Sequence, residues 1–157
     1  MKAQAVFEFM IAFIIFFAVI LYTLNHLHST VWMFSNEYYV NALETKALQI
    51  SELLVTSPGI WESGFPKSPG LASKWPILNS TKIQWLNTSC TNNYQNILKS
   101  FEINSTKNGL KITITEIGNS KPLLDCGILP ENKIHASMRR IALSETGKLL
   151  RLEVGVW

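Results

Sequence analysis

The chain has 157 residues, 47% of them hydrophobic and only 16% charged, with a formal net charge of +3. That length accommodates one domain plus a helix, or two small units. The charge excess is small and its basic residues are dispersed, which argues against a nucleic-acid partner and reads as solvated surface.

The chain opens Met1-Lys2-Ala3-Gln4-Ala5-Val6-Phe7-Glu8-Phe9. One basic residue is followed by a small residue, a glutamine and a lone carboxylate, and then an apolar run begins. Nothing from Phe9 to Leu24 is charged or strongly polar, and no further charge appears before Glu37. At about 1.5 Å per residue, a helix over this stretch is long enough for a hydrocarbon core of roughly 30 Å. A secretory signal carries its small-residue cleavage pattern after the apolar run. Here the run is followed by Tyr22-Thr23-Leu24-Asn25-His26-Leu27-His28, and the small-residue junction is Ala3-Gln4, ahead of it. A cut there removes three residues and leaves the apolar helix on the mature chain, with Glu8 as its fifth residue.

On these residues, from Lys2 to about Leu24, the chain resembles the archaeal type IV pilin-like proteins with their class III signal sequence. The resemblance implies cleavage by a prepilin peptidase between Ala3 and Gln4. It implies assembly with other pilin subunits through the apolar helix. It also implies that Glu8 pairs with the new terminal amine of a neighbouring subunit and so sets the axial register. A carboxylate at the edge of an apolar helix is costly to dehydrate and is usually paired, which agrees with such a contact. The bland alternative places Glu8 at the headgroup level of a signal anchor.

Phe7, Phe9, Phe13, Phe16 and Phe17 suit either lipid or a packed filament core, and Trp32 with Phe34 falls where an interfacial aromatic belt is expected. Lys2 before the run places the N-terminus in the cytoplasm and the rest outside, by the positive-inside rule. The segment 4–35 is therefore expected to be transmembrane, and the resemblance makes it the assembly helix as well, with 1–3 as leader and 36–157 as the extracellular head. From Asn36 the pattern turns amphipathic. Val40, Leu43, Ala47, Ile50 and Leu54 recur at steps of three and four and line one face, up to a stop at Pro58-Gly59. Continuous from Gln4 to about Thr56, such a helix measures on the order of 80 Å.

Between Ser57 and Ser80 the punctuation by Pro58, Gly59, Pro66, Pro69, Gly70 and Pro76, with Trp61 and Trp75 between, reads as an ordered loop anchored by its aromatics. Short helices are expected from Ser80 to Leu86, capped by Ser80 or Thr81, and from Asn93 to Phe101. Asn108-Gly109 is a turn. Leu110, Ile112 and Ile114 alternate with Lys111, Thr113 and Thr115 as a half-buried strand. Leu123-Leu124 is a weaker strand signal. Ile134 to Ser144 and Leu150 to Val156, joined at Thr146-Gly147, read as a hairpin. The expected fold is α+β: a long N-terminal helix whose amphipathic half packs on a head sheet of three or four antiparallel strands. The pilin resemblance implies the same architecture.

Cys90 and Cys126 both fall in the presumed outside part, where a disulfide is favoured; no neighbouring group offers metal-ligand spacing, and two unpaired thiols are the alternative. Asn79-Ser80-Thr81, Asn87-Thr88-Ser89 and Asn104-Ser105-Thr106 are N-glycosylation sequons, all beyond the apolar helix. The chain has no Gly-rich phosphate loop, G-x-S-x-G, H-E-x-x-H or C-x-x-C. His26 and His28 face different sides of a helix, and Asp125 has no assigned partner. No cofactor, metal or catalytic residue is expected, and an enzyme is ranked last. The leading expectation is a pilin subunit, minor or specialised because its head is large and loop-rich. An uncleaved signal-anchored extracellular binding protein is the alternative.

Overall fold

The computed structural model describes residues 2–62, 65–106, 108–130 and 134–157, and their side chains except at 2–5, 32, 33, 35, 36 and 65. The chain divides into two compact units, 1–39 and 40–157. One helix, α1 (Lys2–Thr56), contributes to both. The architecture is α+β, a long N-terminal helix followed by an antiparallel-dominated head, consistent with a pilin-like fold.

In the second unit the end of α1 belongs to the head core. Leu43, Ala47, Ile50 and Leu54 are all buried, on the stripe their spacing lays down. Val40, the first residue of that stripe, is half-buried. The following loop satisfies carbonyls that the helix end leaves open: Leu71 N donates to Leu54 O at 3.0 Å, and Ala72 N to Ser57 O at 3.1 Å. Two glycines make this approach possible. A Cβ on Gly70 would stand 2.4 Å from the Ser57 carbonyl oxygen, and one on Gly59 (φ +62°) 2.5 Å from that of Ser68.

The segment read as loop carries four short strands: β1 (Ile60–Glu62), β2 (Phe65–Ser68), β3 (Ala72–Lys74) and β4 (Ile77–Leu78). β1 and β2 form a separate two-stranded hairpin. Its aromatic anchor is Trp61, whose indole Nε1 donates to Gly70 O at 2.9 Å and whose ring lies 6.0 Å from that of Trp85. β3 and β4 join the main sheet.

α2 (Ser80–Ser100) takes the place of the two short helices, broken at Asn93 (φ −153°, ψ 63°), where the second was expected to begin. Residues 87–92 continue the first helix although their Asn, Thr and Ser content disfavours it. The cap is Asn79 rather than Ser80 or Thr81, its Oδ1 accepting from Lys82 N at 3.0 Å.

The main sheet has six strands in the order β3-β4-β7-β8-β5-β6, with β5 (Leu110–Glu116), β6 (Pro122–Cys126), β7 (Ala136–Ser144) and β8 (Leu149–Val156). This corrects the expected three or four antiparallel strands in number and in kind. β4 pairs with β7 in parallel, Ile77 opposite Leu143. The two-residue β4 is too short to show an alternating pattern, so only its tertiary partner makes it a strand. The predicted hairpin is β7–β8, from Ala136↔Val156 to Leu143↔Leu149. Leu110, Ile112 and Ile114 of β5 and Leu150, Leu152, Val154 and Val156 of β8 point into one core with α1 and α2. Burying each such side chain stabilises by about 1.5–3 kcal/mol.

Candidate functional site

Val6–Val31 is 26 residues of mean hydropathy 2.5, none of it buried within the chain. It is long and apolar enough to cross a membrane, which is consistent with membrane anchoring. Its aromatic residues stack along the helix, Phe9 with Phe13 at 6.3 Å and Phe13 with Phe17 at 4.5 Å between ring centres. Spacing of four residues brings them onto one face. Further along, Tyr22 and His26 stack in parallel at 6.3 Å. The Ser and Thr hydroxyls of the span return to its own backbone. Thr23 donates to Ile20 O, and both Ser29 and Thr30 donate to His26 O, at 2.8–2.9 Å. Those donors therefore need no water, the condition for a helix in lipid.

Glu8 is exposed near the start of this span. Ala3 and Gln4 are helical in backbone, within the first turn of α1; their side chains, and that of Trp32, lie outside the described residues. The Ala3-Gln4 pair, read in the sequence as a cleavage junction, and the carboxylate are thus carried by the same helix end, four residues apart from Gln4 to Glu8.

In the head, Cys90 of α2 and Cys126 of β6 form a disulfide, with Cα atoms 5.5 Å apart. β6 is an edge strand of the main sheet. The bridge ties that edge to α2, and the ion pair of Lys111 with Asp125 holds it to β5. Asp125 therefore does have a partner. Lys111 Nζ also donates to Gly127 O at 2.8 Å. Tyr94 sits just past the break in α2. Its hydroxyl donates to Leu110 O at 2.6 Å and accepts from Leu110 N at 2.9 Å, fixing where β5 begins. Burial raises the Tyr94 pKa above the ordinary phenol value, against a smaller lowering by the Leu110 hydrogen bond.

The three sequon asparagines occupy different settings. Asn79 is half-buried at the head of α2, and its Nδ2 donates to Glu145 Oε1 at 3.1 Å. Glu145 Oε2 also accepts from the Ser80 hydroxyl at 2.5 Å. Asn87 is exposed in mid-helix. Asn104 is exposed in the turn between α2 and β5, its Oδ1 accepting from Thr106 Oγ1 at 2.7 Å and Thr106 N at 3.1 Å.

Helical spacing sets Tyr94 on one face with Ile97, Leu98 and Phe101, but no sequence signal pointed to its partner or to that of Glu145, which stand 16 and 65 residues away. Lys82 is similar: its Nζ donates to Pro58 O and Ala72 O at 2.6 and 3.1 Å, clasping α2 to the loop that follows α1.

A cavity of about 320 Å³ opens between the end of α1, β2 and the end of α2. Lys46 and Glu102 stand at its rim, and its second lysine, Lys67, is paired with Glu62 at 3.2 Å. A second, of about 190 Å³, lies beside Tyr94, Thr106 and Trp157. Neither brings a nucleophile to a base. Among the described residues no three His, Cys, Asp or Glu side chains are grouped to hold a metal ion. Comparison with protein-family models, curated proteins and solved structures finds no match to this chain.

Proposed function

We propose that this chain is a structural subunit, of the minor or specialised kind, of an archaeal type IV pilus-like surface filament. A prepilin peptidase cuts between Ala3 and Gln4. The chain waits in the cytoplasmic membrane with its N-terminus inside and its head outside, and then enters the filament through its apolar helix. Glu8 pairs with the terminal amine at Gln4 of a neighbouring subunit and sets the register.

The observation that carries this reading is the division of labour along α1. Its first part, Val6–Val31, buries nothing within the chain, while Leu43, Ala47, Ile50 and Leu54 further on are core residues of the head. A signal removed after its apolar run would discard the first part. The Ala3-Gln4 junction keeps it attached to a folded head, which is what assembly through a helix requires.

The test is the intact mass of the protein from the membranes or shed filaments of the cells that make it, after glycan removal. A chain beginning at Gln4 supports the proposal. Glu8→Gln should still insert into the membrane and should fail to enter filaments. A chain beginning at Met1, in cells with active peptidase, refutes the filament reading in favour of an uncleaved signal-anchored extracellular binding protein.

A further inference from the structure

We infer that, of the three sequons, Asn104 is the one that carries a glycan and that the fold withholds Asn79 and Asn87. The inference rests on the outside location of the head in the proposed function, and on nothing about cleavage or assembly.

The chemistry sets three demands. The asparagine Nδ2 bonds to the anomeric carbon of a sugar carried on a lipid phosphate. The bond from that carbon to the phosphate oxygen breaks, the lipid phosphate leaves with the electron pair, and a proton of Nδ2 passes to a base of the transferase. The asparagine must therefore be exposed. Its nitrogen must be free of structural duty. The hydroxyl two residues on must reach the same side-chain amide.

Asn104 meets these demands. Asn104, Ser105 and Thr106 are all exposed. The Thr106 hydroxyl donates to Asn104 Oδ1 at 2.7 Å and its backbone N–H to the same oxygen at 3.1 Å. The Asn104 oxygen thus faces the hydroxyl, and its nitrogen takes the opposite side of the amide. The turn is held in place from both ends. Phe101 and Ile103 are buried, Ile103 N donates to Leu98 O at 2.9 Å, and Asn108 N donates to Asn104 O at 2.9 Å. Beside it lies the cavity of about 190 Å³, lined by Ser105, Thr106, Gln95, Asn108 and Trp157 among others. Amides hydrogen-bond to sugar hydroxyls, and an indole packs against a sugar ring.

The other two sequons fail on different counts. Asn79 has its amide committed at both ends, Oδ1 as the α2 cap and Nδ2 to Glu145. A sugar on Nδ2 would push Glu145 off the helix start. Thr81 lies in the first turn of α2, and the Asn79 oxygen is taken by Lys82 N rather than by its hydroxyl. At Asn87 the helix separates the required pair. Residues two apart on a helix point about 200° from each other. Asn87 faces out while Ser89, which should supply the hydroxyl, is 4% exposed.

Trypsin separates the three sites, because cleavage after Lys74, Lys82, Lys99 and Lys107 gives peptides 75–82, 83–99 and 100–107. The full chain is taken from the membranes of the cells that make it, reduced, alkylated, digested and read by mass spectrometry. The expected result is a sugar mass on 100–107 with 75–82 and 83–99 bare. Thr106→Val, an exposed substitution, should leave 100–107 bare, and Thr106→Ser should keep the sugar. A bare 100–107 in the native chain overturns the inference, and so does a sugar on 75–82 or 83–99. The start of the chain is read from the same sample. A chain beginning at Gln4 with bare Asn104 rejects this inference alone, and one beginning at Met1 with glycosylated Asn104 rejects the filament proposal alone.

Discussion

Breaking the disulfide should cost the head a large share of its stability. Cys90 and Cys126 are separated by 36 residues, a loop that contains the end of α2 and all of β5. Closing a loop of that length removes about 13 cal/mol/K from the entropy of the unfolded chain, or about 4 kcal/mol at 25 °C. Domains of this size are held by about 5–15 kcal/mol in total, so the bridge is not a marginal contribution. The assay is urea unfolding of the full chain in detergent micelles, followed by tryptophan fluorescence, which the Trp61–Trp85 pair at 6.0 Å makes sensitive to head unfolding. The oxidised chain is compared with the reduced chain and with Cys90→Ala/Cys126→Ala. With a slope of about 2 kcal/mol/M, the midpoint should fall by about 2 M in both. Cys126 is buried, so the double substitution also loses some packing and should fall slightly further. Hydrogen exchange should rise first in β6, the edge strand that the bridge ties to α2. A midpoint shift below about 0.5 M at unchanged slope would refute the loop-entropy argument.

Tyr94→Phe removes a hydroxyl that serves both backbone groups of Leu110 and should destabilise the head by about 1–3 kcal/mol, read from the same urea midpoint. Its folded-state pKa is raised by burial, so its contribution is fully present below the ordinary phenol value near 10 and is lost as pH rises through the folded value. The native chain should therefore lose stability above about pH 10 more steeply than Tyr94→Phe, and parallel pH curves would remove that assignment. Leu54→Ala, fully buried on the stripe of α1, should cost about 3–5 kcal/mol, whereas Leu48→Ala, 38% exposed on the same helix, should cost under about 1 kcal/mol. Equal losses would contradict the one-sided packing of that helix. Asn79→Ala should cost about 1 kcal/mol through the lost cap, and Asn79→Ser, which keeps a capping oxygen and brings no charge toward Glu145, should restore most of that capping contribution. Thermal melts of the three proteins decide it.

Much of this architecture was legible because it rests on periodicity. The charge-free run to Asn36, the three-and-four spacing of Leu43, Ala47, Ile50 and Leu54, and the alternation through Leu110–Thr115 and Leu150–Val156 each repeat with the period of the element they form. Hydrophobic burial acts on every repeat, so a single chain displays it without reference to any partner. The elements misread were strands too short to repeat a pattern and a helix stretch of poor helix formers. β3 and β4 are three and two residues long and become strands by pairing with each other and, for β4, with β7. Residues 87–92 of α2 are poor helix formers that follow buried Leu86 and are tied to β6 through the Cys90 bridge.

The candidate site divides in the same way. The sequence by itself determined the apolar span, the place of the carboxylate Glu8 ahead of it, the Ala3-Gln4 pattern on which the proposed cleavage rests and the three sequons, because each is a local pattern of residue types. Only the tertiary structure decided that the two sulfurs meet, that Glu145 from the β7–β8 turn occupies the Asn79 amide, and that Ser89 turns inward while Thr106 turns out toward Asn104. The physical reason is that hydrogen bonds and side-chain directions in the head are set by contacts between residues up to 66 positions apart. Local composition carries no record of them.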